Sequence, residues 1–135
     1  MLATTHVLVG AVAGRAVANP IASFSLAVIL HFILDKIPHF WPDNKSIKIQ
    51  GAILAIEWSI AILFILFLSD NPDFLYSQFT GAIGGFLPDV ILLPTVKTKI
   101  GKWHAIRQTH TQKIKDAIIE AVIILSSIAV LIFWR

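Results

Sequence analysis

Seven residues of this chain of 135 are of types that bind metal ions and move protons, in surroundings otherwise built of hydrocarbon: His6, His31, His39, His104, His110, Asp35 and Asp89. An ionisable side chain in an apolar span costs roughly 3 kcal/mol on insertion scales, so such groups mark function by default. His31 and Asp35 are spaced i,i+4, which puts both on one side of a helix. Imidazole and carboxylate together suit zinc, manganese or iron. Three such ligands and one open position make a catalytic zinc site, where bound water ionises near neutral pH. Seven candidates exceed the need of one ion, so a binuclear centre clamping a phosphoryl oxygen also fits. Asp35 and Asp89 can bridge two metals, ligate one, or orient a histidine. Glu57 is a further candidate, as ligand, as general base, or as the buried partner of Arg15 or Lys36.

Each residue also has a plainer reading. His6 and His39 suit an interfacial position near a helix end, and His104 and His110 a solvated basic loop. Asp89 after Pro88 suits a turn or a cap. Glu120 reads as interfacial. The case for a site therefore rests on what brings the seven together.

Apolar stretches run from about Leu2 to Ala18, Ile21 to Ile37, Gly51 to Leu68, Gln78 to Leu93 and Asp116 to Trp134. Asn19-Pro20 separates the first two and Pro38 closes the second. Pro88 is expected to kink or end the fourth. The first, second and fourth are short for a bilayer, which needs roughly 20 residues, and must be tilted, re-entrant or shielded by neighbours. Gly10 with Gly14, and Gly81 with Gly85, form small-xxx-small pairs that let helices approach closely. The pattern predicts an all-α, polytopic membrane bundle of about five embedded helices, in a single domain over residues 1–135.

Composition agrees. The chain is 56% hydrophobic and 14% charged, against about 25% charged in soluble domains; its mean hydropathy is +0.79. It has no cysteine, which excludes disulfides, thiolate zinc sites and cysteine nucleophiles. The net charge is only +3, but six of the eleven Lys and Arg lie between Lys97 and Lys115. Nucleic acid binds such segments, but beside an apolar span a basic loop more often marks topology or an anionic lipid contact, and no nucleic-acid partner is expected. The first residues lack a basic n-region, and although Ala16-Val17-Ala18 resembles a cleavage site, this segment reads as a retained helix.

The loops at 39–50 and 94–115 are basic, and the loop at 69–77 carries Asp70 and Asp73 with no base. The positive-inside rule then places both basic loops in the cytoplasm and the acidic loop outside. Arg15 and Arg135 fall outside, a mild conflict. On this topology all seven metal-binding candidates reach the cytoplasmic face, although none was used to draw it.

The stretches Thr5-His6 with Val-Leu-Val-Gly10, His31-Phe-Ile-Leu-Asp35 with Ile37-Pro38-His39, and Gly85-Phe-Leu-Pro88-Asp89 resemble the YdjM-like inner-membrane-associated metal-dependent hydrolases of bacteria. Their His-x-x-x-Asp helix is similar to that of zinc-dependent phospholipase C. The resemblance implies a multi-pass protein of the bacterial inner membrane. It also implies that His6, His31, Asp35, Asp89 and His110 are metal ligands or their close partners. The chain departs from the family at Ile91, where a second Asp is frequent, and in the five residues between His104 and His110, where four are usual. The expected activity is hydrolysis of a phosphoester, with a phospholipid headgroup preferred, by one or two divalent ions, zinc above all. Asp35, Asp89 and Glu57 are the catalytic candidates. Lys102 and Arg107 would bind the phosphate, and Trp103 would anchor their loop in the interface. Two alternatives are a non-catalytic metal or proton carrier, whose ligands would be spread through the membrane depth, and a haem-binding membrane protein with axial histidines.

Overall fold

In the computed structural model, residues 3–40, 47–69, 71–92, 99, 102, 110, 111 and 113–134 are described. They form an all-α bundle of five helices: α1 (Ala3–Val17), α2 (Pro20–Leu34), α3 (Ile47–Leu68), α4 (Pro72–Leu92) and α5 (Ile114–Phe133). Two-residue segments, β1 (His39–Phe40) and β2 (His110–Thr111), pair in parallel through their backbones, with His39 opposite His110.

α1 is the hub, touching the other four helices. With α2 and α4 it makes the tightest part of the bundle, and α3 and α5 flank it. Small residues make this possible. A Cβ added at Gly10 would strike the Gly81 carbonyl, one at Gly14 the Ser77 carbonyl, and one at Gly85 the His6 carbonyl. As one number rises the other falls, so α1 and α4 run antiparallel along a glycine seam with their backbones in contact. The apolar core beside the seam gathers Val7, Leu8 and Ala11 of α1, Ala61 and Ile65 of α3, Ala82 of α4 and Leu131 of α5.

α1 turns into α2 within two residues. Ala18 takes a left-handed conformation (φ 53°). The Asn19 side chain then accepts from the Ala22 amide at 3.0 Å, and Pro20 opens the next helix.

α4 corrects the sequence expectation. It starts at Pro72, not near Gln78, and continues through Pro88 to Leu92. Pro88 removes only its own amide's bond to the Gly84 carbonyl, and packing against α1 and α2 on either side holds the helix together.

The expectation of about five membrane-embedded helices is met in part. Only α3, over Lys48–Leu68, and α5 are long and apolar enough to cross a bilayer, each with a mean hydropathy of 2.4. Of their most apolar windows only 17% and 22% are buried, so these are not the enclosed core helices of a water-soluble bundle. α2 is apolar but has only 15 residues.

Candidate metal centre

Four of the predicted residues meet in one buried cluster. α1 brings His6, α2 brings His31 and, just past its last turn, Asp35, and α4 brings Asp89. His6 Nε2 lies 3.3 Å from Asp35 Oδ1, and His31 Nε2 lies 3.3 Å from Asp35 Oδ2. His31 Nε2 is also 3.6 Å from Asp89 Oδ1. The two imidazole centroids are 4.2 Å apart. Ligand atoms of His6, His31 and Asp89 all fall within 4.8 Å of one another. His31 is wholly buried and Asp89, the most accessible of the four, is 6% exposed.

The tautomer of His31 follows from its other nitrogen. Nδ1 lies 2.6 Å from the Gly85 carbonyl oxygen, which can only accept, so Nδ1 donates. In the neutral ring Nε2 then carries a lone pair, and it faces two carboxylates. Lone pair and anions repel in a buried site unless a proton or a metal ion stands between them. An imidazole held by a carbonyl from behind, with its other nitrogen facing carboxylates, is the usual setting of a metal-binding histidine. Zinc with bonds of about 2.0–2.1 Å to tetrahedral ligands sets those ligands about 3.3–3.4 Å apart; the His6 and His31 nitrogens stand at that distance from Asp35, whereas the His6, His31 and Asp89 atoms, within 4.8 Å of one another, would draw closer around an ion. The residues present therefore fit a divalent metal ion. The acceptor for His31 comes from the turn before Pro88, next to the Gly84 carbonyl that the proline leaves without its helical amide.

Glu57 lies elsewhere. Its carboxylate accepts from the Ala3 amide at 2.7 Å, and its backbone carbonyl accepts from Thr4 Oγ1 at 3.3 Å. It is not bonded to Arg15, whose Nη1 donates to the Leu131 carbonyl at 2.9 Å, with the guanidinium carbon 5.8 Å from the centre of the Phe74 ring. That bond places the Arg15 cation at the C-terminal end of α5, where it meets unpaired carbonyls. Arg15 thus leaves the charge conflict, because it is a buried cap and not a loop charge; Arg135 lies outside the described residues.

His39 and His110 are opposed in backbone register, and their side chains lie outside the description. His104 and Arg107 lie outside the described residues, and Lys102 is solvent-exposed.

Two buried acids near the same end of the bundle were not taken as site residues from the sequence. Glu120 is corrected from interfacial to buried: 1% exposed, its Oε1 accepts from Thr5 Oγ1 at 3.3 Å. Asp116, one turn earlier on α5, is buried too. The signal was available, since Asp116 and Glu120 repeat on α5 the i,i+4 pairing of His31 and Asp35. No protein family, curated protein or solved structure matches the chain.

Proposed function

We propose that this protein is a metal-dependent hydrolase of the inner bacterial membrane, acting on phosphoesters at the depth of lipid headgroups on the cytoplasmic side. The observation that carries the reading is the buried meeting of His6, His31, Asp35 and Asp89, with His31 Nε2 turned toward both carboxylates by the Gly85 carbonyl. His6, His31 and Asp89 would hold the ion, zinc by preference. Asp35, with one oxygen to each imidazole, would complete the charge or receive a proton. The ion supplies a hydroxide nucleophile near neutral pH and an electrophile for the phosphoryl oxygen. Asp89 is the most accessible of the four donors. Exposed Lys102 and, by the sequence pattern, Arg107 would attract an anionic phosphate. Membrane residence is supported by the apolar outer faces of α3 and α5 and by the basic–acidic–basic loop order. The motif resemblance to YdjM-like hydrolases points the same way.

The burial of all four donors favours a second reading. Structural metal sites are closed and catalytic ones keep an open position, so a non-catalytic metal protein is the rival. Detergent-purified protein is expected to hold about one equivalent of zinc. His31→Ala and Asp89→Ala lose most of it. Wild-type protein that retains no metal and takes up none when it is supplied refutes the metal centre. Metal-loaded protein is then assayed on phospholipids in mixed micelles and on a soluble phosphoester. Chelation abolishes hydrolysis, added zinc or manganese restores it, and Asp89→Asn loses activity with its fold intact. Metal-loaded protein inert toward every ester selects the non-catalytic reading.

A further inference from the structure

The first turn of α1 is pinned residue by residue. The Ala3 amide donates to the Glu57 carboxylate, Thr4 Oγ1 to the Glu57 carbonyl, and Thr5 Oγ1 to the Glu120 carboxylate. Ala3, Thr5 and Glu120 are buried. The next residue is His6, the single ligand that α1 contributes. A helix start leaves amides without partners, and a short acidic or hydroxyl side chain just ahead of it usually serves them. Met1 and Leu2 cannot do so. Glu57, from a different helix, does, and its charge complements the positive end of α1.

This matters for the metal because two other restraints are missing. The closest part of the seam between α1 and α4 is made of glycines and backbone, and the side chains beside it, Val7, Leu8 and Ala11 against Ala82, are apolar, so no directional bond along it fixes the height of α1. The His6 ring also lacks a hold of the kind that His31 has, for among the described residues its Nδ1 has no hydrogen-bond partner. The position of His6 is therefore set through its backbone. That backbone is tied to α3 and α5 by the three bonds above, and to α5 again, at the far end, by Arg15 and the Leu131 carbonyl. Thr5 with Glu120 and Arg15 with Leu131 advance together along both chains, so α1 and α5 run parallel and are fastened at both ends.

We infer that Glu57 and Glu120 are positioning residues, which set the metal affinity of the His/Asp centre by fixing the axial position of His6 through the first turn of α1. The inference rests on the metal-centre reading, and its test separates the two. Cobalt(II) is titrated into metal-free full-length protein in detergent, reading both the dissociation constant and the visible ligand-field band, and zinc is then added in competition. Thr5→Val, close to isosteric, deletes only the hydroxyl. It is expected to weaken binding roughly tenfold, the lower end of losses seen when a group supporting a ligand is removed, and to alter the cobalt band; Thr5→Ser restores both. Glu57→Ala is expected to weaken binding roughly ten- to a hundredfold, while Glu57→Gln, which keeps an acceptor oxygen, stays near wild type. Circular dichroism checks that each variant is folded. Wild-type affinity and an unchanged band in both Thr5→Val and Glu57→Ala overturn the inference and leave the metal centre standing. Equal loss in Glu57→Gln and Glu57→Ala also overturns it, since charge and not a hydrogen bond would then be responsible. Wild-type protein that binds neither cobalt nor zinc refutes the metal centre, and this inference with it.

Discussion

His31 is held from both sides, by a carbonyl at Nδ1 and by carboxylates at Nε2. The carbonyl stands in the turn before Pro88, beside the Gly84 carbonyl that loses its helical amide, so the proline ring borders the site at a cost to its helix. Pro88→Ala returns an amide to α4 and removes a helix-interior proline, a change of roughly 3 kcal/mol in helix preference. The expected outcome is a higher melting temperature for the metal-free protein with weaker zinc binding, checked by thermal melts with and without zinc. Acidification acts on the same residues. A protonated imidazole cannot bind metal, so zinc affinity falls as the solution is taken from neutral pH toward about pH 5; equal affinity at both ends would count against histidine ligation. His31 with Asp35 was legible from spacing alone, and His6 and Asp89 became so once charge had oriented the helices. Glu120 was not, because its partner Thr5 is 115 residues away and a lone Glu one turn into an apolar helix looks interfacial.

The glycine seam sets what α1 and α4 tolerate. Gly10→Ala places a methyl group against the Gly81 carbonyl, and neither backbone can yield without separating the helices. These two helices carry His6, Asp89 and the Gly85 carbonyl, so the melting temperature and the bound metal should fall together. Gly51 is the control: nothing lies within 4 Å of its added Cβ, and it sits inside α3. Gly51→Ala should stabilise by about 0.8–1 kcal/mol, the helix preference of alanine over glycine, and leave metal content unchanged. Ala18 gives a third expectation. Its φ of 53° costs alanine roughly 1–2 kcal/mol and glycine almost nothing, so Ala18→Gly should raise the melting temperature. Five helices in this order were readable from apolar runs and proline breaks. The true start of α4 was hidden because residues 72–77 look like an acidic loop. Asn71-Pro72 nevertheless has the form of a helix start, and the Asn71 carbonyl accepts from the Phe74 and Leu75 amides at 3.2 Å each.

At the scale of the whole molecule, the buried acids and histidines lie toward one end of the bundle. His6, His31, Asp35, Asp89 and Glu120 lie near helix ends that the loop charges assign to the cytoplasm, and Glu57, midway along α3, meets the first turn of α1. Toward the opposite end stand Arg15, bound to α5, and the uncharged Ser77 and Gln78. A carrier would space its ligands through the depth of the bundle, and this arrangement does not. The apolar outer surface runs around the bundle: Ile56, Ile60, Leu63 and Phe67 of α3, Ile118, Val122 and Leu125 of α5, and Ile21, Ile29 and Ile33 of α2 are exposed. Cysteine introduced at Gln50 or Lys113 should react with a membrane-impermeant reagent only from the cytoplasm, and cysteine at Asn71 only from outside. Labelling of Gln50 and Asn71 variants from the same side would reverse this assignment.

The helices also differ in length. At 1.5 Å per residue α3 and α5 extend about 33 Å and about 30 Å, whereas α1 and α2 extend only about 22 Å. A bilayer core is about 30 Å thick. In a membrane, then, the long helices hold the lipid at full thickness on their side, and α2, with Ile21, Ile29 and Ile33 on its exposed face, leaves it short by about 8 Å. The bilayer answers such a shortfall by thinning. The dent would form beside the helix that carries His31 and leads into Asp35, so headgroups would sink toward the His/Asp cluster instead of being lifted out to meet it. On the proposed function, acyl-chain length would then control activity: short-chain bilayers, already thin, would bring a lipid phosphate to the cluster with less deformation than long-chain ones, while a soluble ester would be indifferent to either.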